Sequence, residues 1–294
     1  MLRIVSVVAL IVLFAATGFI AGSFAGFLRS PPATAVMRFF VDHLLCPSIE
    51  CGFDDASDRS LVDCSPYTTD DQRTMVLLTL GQSNGANHGE SRMVSRAGVD
   101  NFNPADGKCY AAKDPLLGPT GTDGSPWTRL GDQLLEAGIF DRVLIAAIAV
   151  GGSRIQRWVP GGDLNGRIAW IVKALDAAGI RVTHVAWHQG ESNSDDTGES
   201  YTAAFGQVLR SLRDLGIDAP VFPAIATICH DTGRDEIRRA QAALPSIYSG
   251  VFPGPNTDAL DRFEHRHDLC HLSTLGLDLH ASLWRAVLVE YSSR

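Results

Sequence analysis

The feature that most constrains the fold is an alternation. Short apolar runs, each ending in glycine or in a cluster of reactive side chains, take turns with longer stretches of helical period. The runs are 75–80, 142–150, 183–187, 221–228 and 247–252. The first ends in Gly81 and the second in Gly151-Gly152; the third leads into His188-Gln189-Gly190-Glu191, and the fourth ends near Cys229-His230. Apolar on consecutive positions, such runs suit strands covered on both faces of a parallel sheet. Between them, 126–137, 164–178, 200–215 and 234–244 carry apolar residues at three-to-four spacing, as does a last stretch, 275–291. Ala178-Gly179 and Leu215-Gly216 supply glycine stops. The alternation predicts an α/β fold, a parallel sheet with right-handed crossovers and helices on both faces. In open α/β sheets ligands bind at the carboxyl ends of the strands, which is where the polar residues collect here.

The N-terminal part reads differently. No residue from 4 to 27 is charged, with Arg3 before and Arg29 after. A stretch of this kind spans a bilayer as an uncleaved anchor, or serves as a signal peptide with Ser23-Phe24-Ala25 at the cleavage site. Both readings export the rest, either secreted or held at the membrane facing the periplasm or cell exterior. The expected organisation is 1–29 anchor or signal peptide, 30–73 linker and cysteine-containing extension, and 74–294 the main domain. The six cysteines, Cys46, Cys51, Cys64, Cys109, Cys229 and Cys270, lack C-x-x-C spacing and agree with disulfides in an exported chain. The expected pairing joins Cys229 to Cys270 and leaves the four early cysteines to pair among themselves. A formal net charge of -8 without a long basic run argues against nucleic acid as a partner.

Four clusters could carry chemistry. Gly81-Gln82-Ser83-Asn84-Gly85 puts a serine on a tight turn directly after the first run, where the alternative is an ordinary helix N-cap. Asp268 and His271 have D-x-x-H spacing, so one carboxylate can orient the imidazole and stabilise its protonated form; a charged surface loop is the plain alternative. His265 and His267 add a weak zinc signal. Trp187-His188-Gln189-Gly190-Glu191-Ser192-Asn193 gathers hydrogen-bonding groups after the third run. Gly151-Gly152-Ser153-Arg154 frees backbone N–H groups to face an anion, or is simply a tight turn. All four map to one edge of one sheet.

With these residues the chain resembles the SGNH hydrolases, and within them the sialate O-acetylesterase and acetylxylan esterase branch. The resemblance rests on Gly81-Gln82-Ser83-Asn84, Gly151-Gly152-Ser153 with Trp158, Trp187-His188-Gln189-Gly190-Glu191-Ser192 and Asp268-x-x-His271, and runs in order over 74–290. It implies a three-layer α/β/α sandwich with a flavodoxin-like parallel sheet, and a serine carbohydrate O-acetylesterase. Ser83 would be the nucleophile, His271 the base and Asp268 its acid partner. The N–H of Ser83, the N–H of Gly152 and the Gln189 side-chain amide would form the oxyanion hole. Glu191 and Asn84 would give support, with Glu191 a rival to Asp268 as partner of His271. Arg154, Trp158 and His188 would contact substrate, although Trp158 and Trp127 read equally as core residues, and Arg154 and Arg157 as solvated charges. Neither a metal nor an organic cofactor is implied, and the partner is an acetylated carbohydrate. The alternatives are an SGNH lipase, thioesterase or arylesterase, or a non-catalytic glycan-binding envelope protein.

Overall fold

The computed structural model describes residues 51–230 and 233–293. The expected anchor or signal segment and Cys46 lie outside the described residues. Among those residues, no helix is long and apolar enough to cross a membrane.

Seven strands form one sheet among the described residues: β1 (Leu61–Val62), β2 (Thr74–Gly81), β3 (Val99–Asn103), β4 (Lys108–Ala111), β5 (Arg142–Ala147), β6 (His184–His188) and β7 (Val221–Pro223). Their order is β1-β4-β3-β5-β2-β6-β7. From β3 to β7 each neighbour pair is parallel, while β4 runs antiparallel to β3 and β1 antiparallel to β4. The parallel sheet predicted from the apolar runs is therefore extended at one edge by an antiparallel flap.

The expected strand at 247–252 is not formed. The helix Asp235–Ile247 takes up the start of this run, Gly250 turns the chain at φ 74, and only Val251 remains to bridge Val221 in parallel. Counting that bridge as the vestige of a fifth strand, the apolar runs stand in the order 2-1-3-4-5, the doubly wound flavodoxin-like arrangement. β2 lies at its switch point, between β5 and β6.

Among the described residues, five α-helices cover the sheet: α1 (Pro126–Glu136), α2 (Asn165–Ala177), α3 (Gly198–Asp214), α4 (Asp235–Ile247) and α5 (Thr274–Ser292). The period-2 pleat of β2 divides its side chains between two cores. Met75 and Leu77 pack with Trp127, Leu130 and Leu134 of α1 and Trp284 and Leu288 of α5. Val76, Leu78 and Leu80 pack with Ile168 and Ile171 of α2, Phe205 and Val208 of α3 and Ile237 of α4. Every residue of β2 is buried, which is why its sequence reads as an unbroken apolar run; each large aliphatic side chain so buried contributes about 1.5–3 kcal/mol. The layers are helix, sheet, helix.

Residues 51–73 are woven into this body. β1 extends the sheet edge, Cys64 is disulfide-bonded to Cys109 of β4, and Phe53 exchanges backbone hydrogen bonds with Pro119 and Gly118. Cys229 is joined to Cys270, as expected, and Cys51 is disulfide-bonded as well.

Candidate active site

The nucleophile candidate is set by the way β2 ends. Gly81 has φ 127, and a Cβ there would lie 1.9 Å from the His188 carbonyl oxygen, so only glycine permits this approach of β2 to β6. Gln82 N–H donates to that carbonyl at 2.8 Å. The chain then leaves the sheet in a short 3₁₀ turn, Ser83–Gly85, with Ser83 at its first position. At that position the Ser83 N–H has no partner among the described residues. The N–H of Gly152 is likewise unpaired there. Gly152 is exposed, and its φ of 68 is the left-handed conformation that aims a turn's amides outward.

The base candidate sits on a loop folded around Asp268. Oδ1 of that carboxylate accepts from the backbone N–H of Cys270 at 3.0 Å and of His271 at 2.6 Å, and Oδ2 lies 2.6 Å from His271 Nδ1. Partial burial pushes the carboxyl up, but the His271 backbone N–H, the His271 ring and the Cys270 N–H outweigh it and hold Asp268 well below the usual carboxylate range. Leu269, between them, takes φ 69 and accepts a hydrogen bond from His230 N–H at 3.0 Å beside the Cys229–Cys270 disulfide.

Asn84 joins the two halves. Its Nδ2 donates to Glu191 Oε1 at 3.0 Å and to the Cys270 carbonyl at 3.2 Å. The residue after Ser83 is thus hydrogen-bonded to the residue before His271. Glu191 bonds Asn84 and makes no bond to His271, so of the two rival acids Asp268 is the one placed at the imidazole.

His88 was not singled out in the sequence, where a lone histidine carries no signal. Its ring stacks on His271 with centroids 5.4 Å apart. Its Nε2 lies 3.3 Å from Thr120 Oγ1, which accepts the Gly151 N–H at 2.7 Å. His88 therefore stands between the base loop and the glycine turn. Burial, and then the neighbouring His271, push its pKa down to about 4, so the ring is neutral near pH 7.

Several expected contacts fall elsewhere. Gln189 is fully buried, and its amide nitrogen already faces Gln82 Oε1 (3.2 Å), the Ser153 carbonyl (3.2 Å) and Asn193 Oδ1 (2.5 Å). Two hydrogens facing three internal acceptors leave none for an oxyanion. Gln189 ties the β6 loop to the turns after β2 and β5. Trp158 and Trp127 are both fully buried; Trp158 packs edge-on against Trp187 and donates to Ser153 Oγ at 3.0 Å. His188 is buried as well, with Nε2 3.2 Å from Thr257 Oγ1. Burial lowers its pKa, so its 3.9 Å approach to Glu191 joins a carboxylate to a neutral ring. None of these three can touch a substrate at the surface. Arg154 is held by Asp195 and Asp196, and Arg157 by Asp163.

Metal ligands are available in principle where His267, Asp268 and His271 place ligand atoms within 4.8 Å of one another. Asp268 is already engaged by His271, and His267 Nε2 lies 3.3 Å from the His88 carbonyl. His265 is buried and its Nδ1 accepts the Arg262 N–H at 3.3 Å.

The strand order, with the serine turn, the glycine turn and the Asp–His loop at one carboxyl edge, is that of the flavodoxin-like α/β/α sandwich of the SGNH type. The chain belongs to the carbohydrate esterase, sialic acid-specific acetylesterase family, whose profile matches residues 73–277. It is similar in structure to a protein from Arabidopsis thaliana at 22% identity, over 75% of this chain and 100% of that one, with a TM-score of 0.59. NanS aligns at 15% identity over 77% and 100% of the two chains, TM-score 0.51. XAC1771, a carbohydrate acetylesterase from Xanthomonas citri, aligns at 14% identity over 74% of this chain and 57% of that one, TM-score 0.53. At such identities these likenesses speak for the fold. A search of curated proteins returns no match.

Proposed function

We propose that this protein is an exported serine esterase that removes O-acetyl groups from a carbohydrate through an acetyl-serine intermediate. The observation that carries the reading is the Asn84 bridge, which holds the Ser83 turn against the His271 loop through a 3.2 Å hydrogen bond to Cys270. Family membership supports the acetyl-ester and carbohydrate parts, and the disulfides support an oxidising compartment.

In this mechanism His271 takes the Ser83 proton as the hydroxyl attacks the acetyl carbonyl. Asp268, ionised and bonded at Nδ1, fixes the tautomer that leaves Nε2 as the accepting nitrogen. The oxyanion receives the unpaired N–H groups of Ser83 and Gly152; one such donor is worth about 10²–10³ in rate. His271 passes the proton to the departing sugar oxygen. Water, activated by the same imidazole, then releases acetate and restores Ser83.

The test is acetate release from acetylated glycans, together with p-nitrophenyl acetate hydrolysis, by wild type and Ser83→Ala. The variant should lose about 10⁴-fold or more in kcat and should no longer be labelled by a fluorophosphonate. Full activity in Ser83→Ala would end the proposal. A rate that rises from acetyl to longer acyl esters would move the activity to a lipase or thioesterase.

A further inference from the structure

Three imidazoles stand in a row beside the serine turn. His88 stacks on His271 with centroids 5.4 Å apart, and His271 stacks on His267 at 6.1 Å, their planes 29° apart. His267 is exposed and has no step in the ester chemistry. Yet His267, Asp268 and His271 each bring one ligand atom within 4.8 Å of the other two. Two ring nitrogens and a carboxylate oxygen are a ligand set that suits a zinc-like divalent ion.

Two independent features favour an ion here. The first is the tautomer of His267. A carbonyl can only accept, so the 3.3 Å approach of His267 Nε2 to the His88 carbonyl puts the ring hydrogen on Nε2 and the lone pair on Nδ1. Metal-binding histidines are oriented in this way, one nitrogen donating to a carbonyl or carboxylate while the other coordinates. The second is that the three residues are already held together. The His267 N–H donates to the His271 carbonyl at 3.0 Å, Asp268 Oδ1 accepts the N–H groups of Cys270 and His271, and Cys270 is tied to Cys229. Little ordering is left for an ion to bring about. His267 and Asp268 are exposed and His271 is partly so, which lets an ion enter from solvent and keep a water in its open position. Cys229, His230 and Cys270 also lie within ligand reach of one another, but their two sulfurs are joined in a disulfide, whereas metals are held by thiolates.

Resting on the esterase reading for the role of His271, we infer that His267, Asp268 and His271 form an inhibitory site for a divalent transition-metal ion of the zinc type. Coordination disables the base through either nitrogen of His271. At Nε2 the ion occupies the lone pair that receives the serine proton. At Nδ1 it replaces the hydrogen directed at Asp268; the ring then carries its hydrogen on Nε2, which can donate but no longer accept. Mg²⁺, a hard ion that prefers oxygen ligands and keeps its water, should not bind there.

The experiment follows p-nitrophenyl acetate hydrolysis by the full chain against rising free Zn²⁺, for wild type, His267→Gln and His230→Gln, each referred to its own zinc-free rate. Zn²⁺ binding is measured in parallel by calorimetry on Ser83→Ala and on Ser83→Ala/His267→Gln, where no turnover intervenes. Wild type should lose activity as zinc rises, regain it with EDTA and ignore Mg²⁺. His267→Gln should need about 10–100-fold more zinc for the same loss, at least what losing an outer-shell partner of a metal ligand costs. His230→Gln should keep wild-type sensitivity, and the calorimetric affinity should fall with His267→Gln by the same factor as the inhibition. Activity indifferent to zinc, inhibition equally strong in a folded His267→Gln, or inhibition relieved by His230→Gln would each overturn the inference and leave the esterase reading intact. A wild type that hydrolyses no ester even in EDTA would instead overturn the esterase reading, and with it the inhibition.

Discussion

The Cys229–Cys270 and Cys64–Cys109 disulfides make a controlled comparison, because they close loops of nearly equal length, one beside the base and one at the far edge of the sheet. Cys229–Cys270 spans 41 residues and Cys64–Cys109 spans 45. On the chain-entropy relation each removes about 4 kcal/mol of unfolded-state freedom. The paired serine substitutions Cys229→Ser/Cys270→Ser and Cys64→Ser/Cys109→Ser should therefore lower stability alike, by about 4 kcal/mol. For a domain of this size that is roughly 8–16 °C in Tm. Their kinetics should diverge. Cys109 lies in β4, separated from β2 by both β3 and β5, whereas Cys270 precedes His271 and its carbonyl accepts the Asn84 hydrogen bond. An imidazole displaced by about 1 Å costs roughly 10² in rate. Esterase activity is to be measured well below both melting midpoints, on variants with native circular dichroism. The Cys229/Cys270 variant should lose about 10²-fold in kcat while the Cys64/Cys109 variant stays near wild type. Equal activities in the two variants, whether both high or both low, would refute the idea that the disulfide positions the base.

Two further predictions concern the frame around the site. Gly81→Ala would drive a methyl into the His188 carbonyl and force a residue with a side chain to hold φ 127. It should cost about 3 kcal/mol or more in urea unfolding, with activity reduced even in the folded fraction; wild-type stability would contradict the β2–β6 geometry. His184 lies among the rings of Phe140, Phe222 and Tyr291, and burial pushes its pKa down to about 4. The unfolded chain takes up that proton near pH 6.5 and the folded one does not, so stability falls as pH drops from 6.5 to about 4, by about 3 kcal/mol when complete. In His184→Phe the slope of Tm against pH should flatten over that window, and an unchanged slope would assign the acid sensitivity to other groups.

How far the sequence discloses this protein depends on where polar residues point. The runs of β2, β5 and β6 were legible because strands buried on both faces are apolar throughout. β3 was not, since its five buried residues read Val-Asp-Asn-Phe-Asn. Its polar side chains are satisfied by the fold: Asn101 donates to the Ile145 carbonyl at 3.0 Å and accepts the Leu117 N–H at 2.7 Å, and Asp100 accepts from Tyr67 at 2.5 Å. Those partners are 16 to 44 residues away and leave no local signal. The same limit governs the site. Gln189, His188 and Trp158 follow glycine turns or end strands, where a side chain can face solvent or core with equal ease from the sequence alone. Their internal partners decide the matter, and each has one. Asp268 and His271 were readable because their geometry is local, three residues apart, with one carboxylate closing its own loop. His88 enters the site through ring stacking on His271 across 183 residues of chain, which no spacing rule detects.

This division also explains where the protein should be most easily disabled. Ser83 and Gly152 emerge from β2 and from just beyond β5, in the middle of the sheet, where displacing a backbone group would disturb both cores. The base has no such foundation. From 253 to 273 the chain forms only two short 3₁₀ turns and no strand or α-helix. Around the site it is held by separate ties: Asn84 of the serine turn to the Cys270 carbonyl, Glu90 N–H to the Leu272 carbonyl at 3.0 Å, Thr274 N–H to Glu90 Oε2 at 2.7 Å, His267 to the His88 carbonyl, and the disulfide to Cys229. A single hydrogen bond contributes only about 0.5–1.5 kcal/mol net, so each polar tie alone opens at a cost far below global unfolding. A segment held in this way is the first to open locally. Activity should therefore fail before the fold does under denaturant, with the loss of kcat preceding the loss of circular dichroism. If the two transitions coincide, the base loop belongs to the same cooperative unit as the sheet, and its ties are stronger than their number and kind indicate.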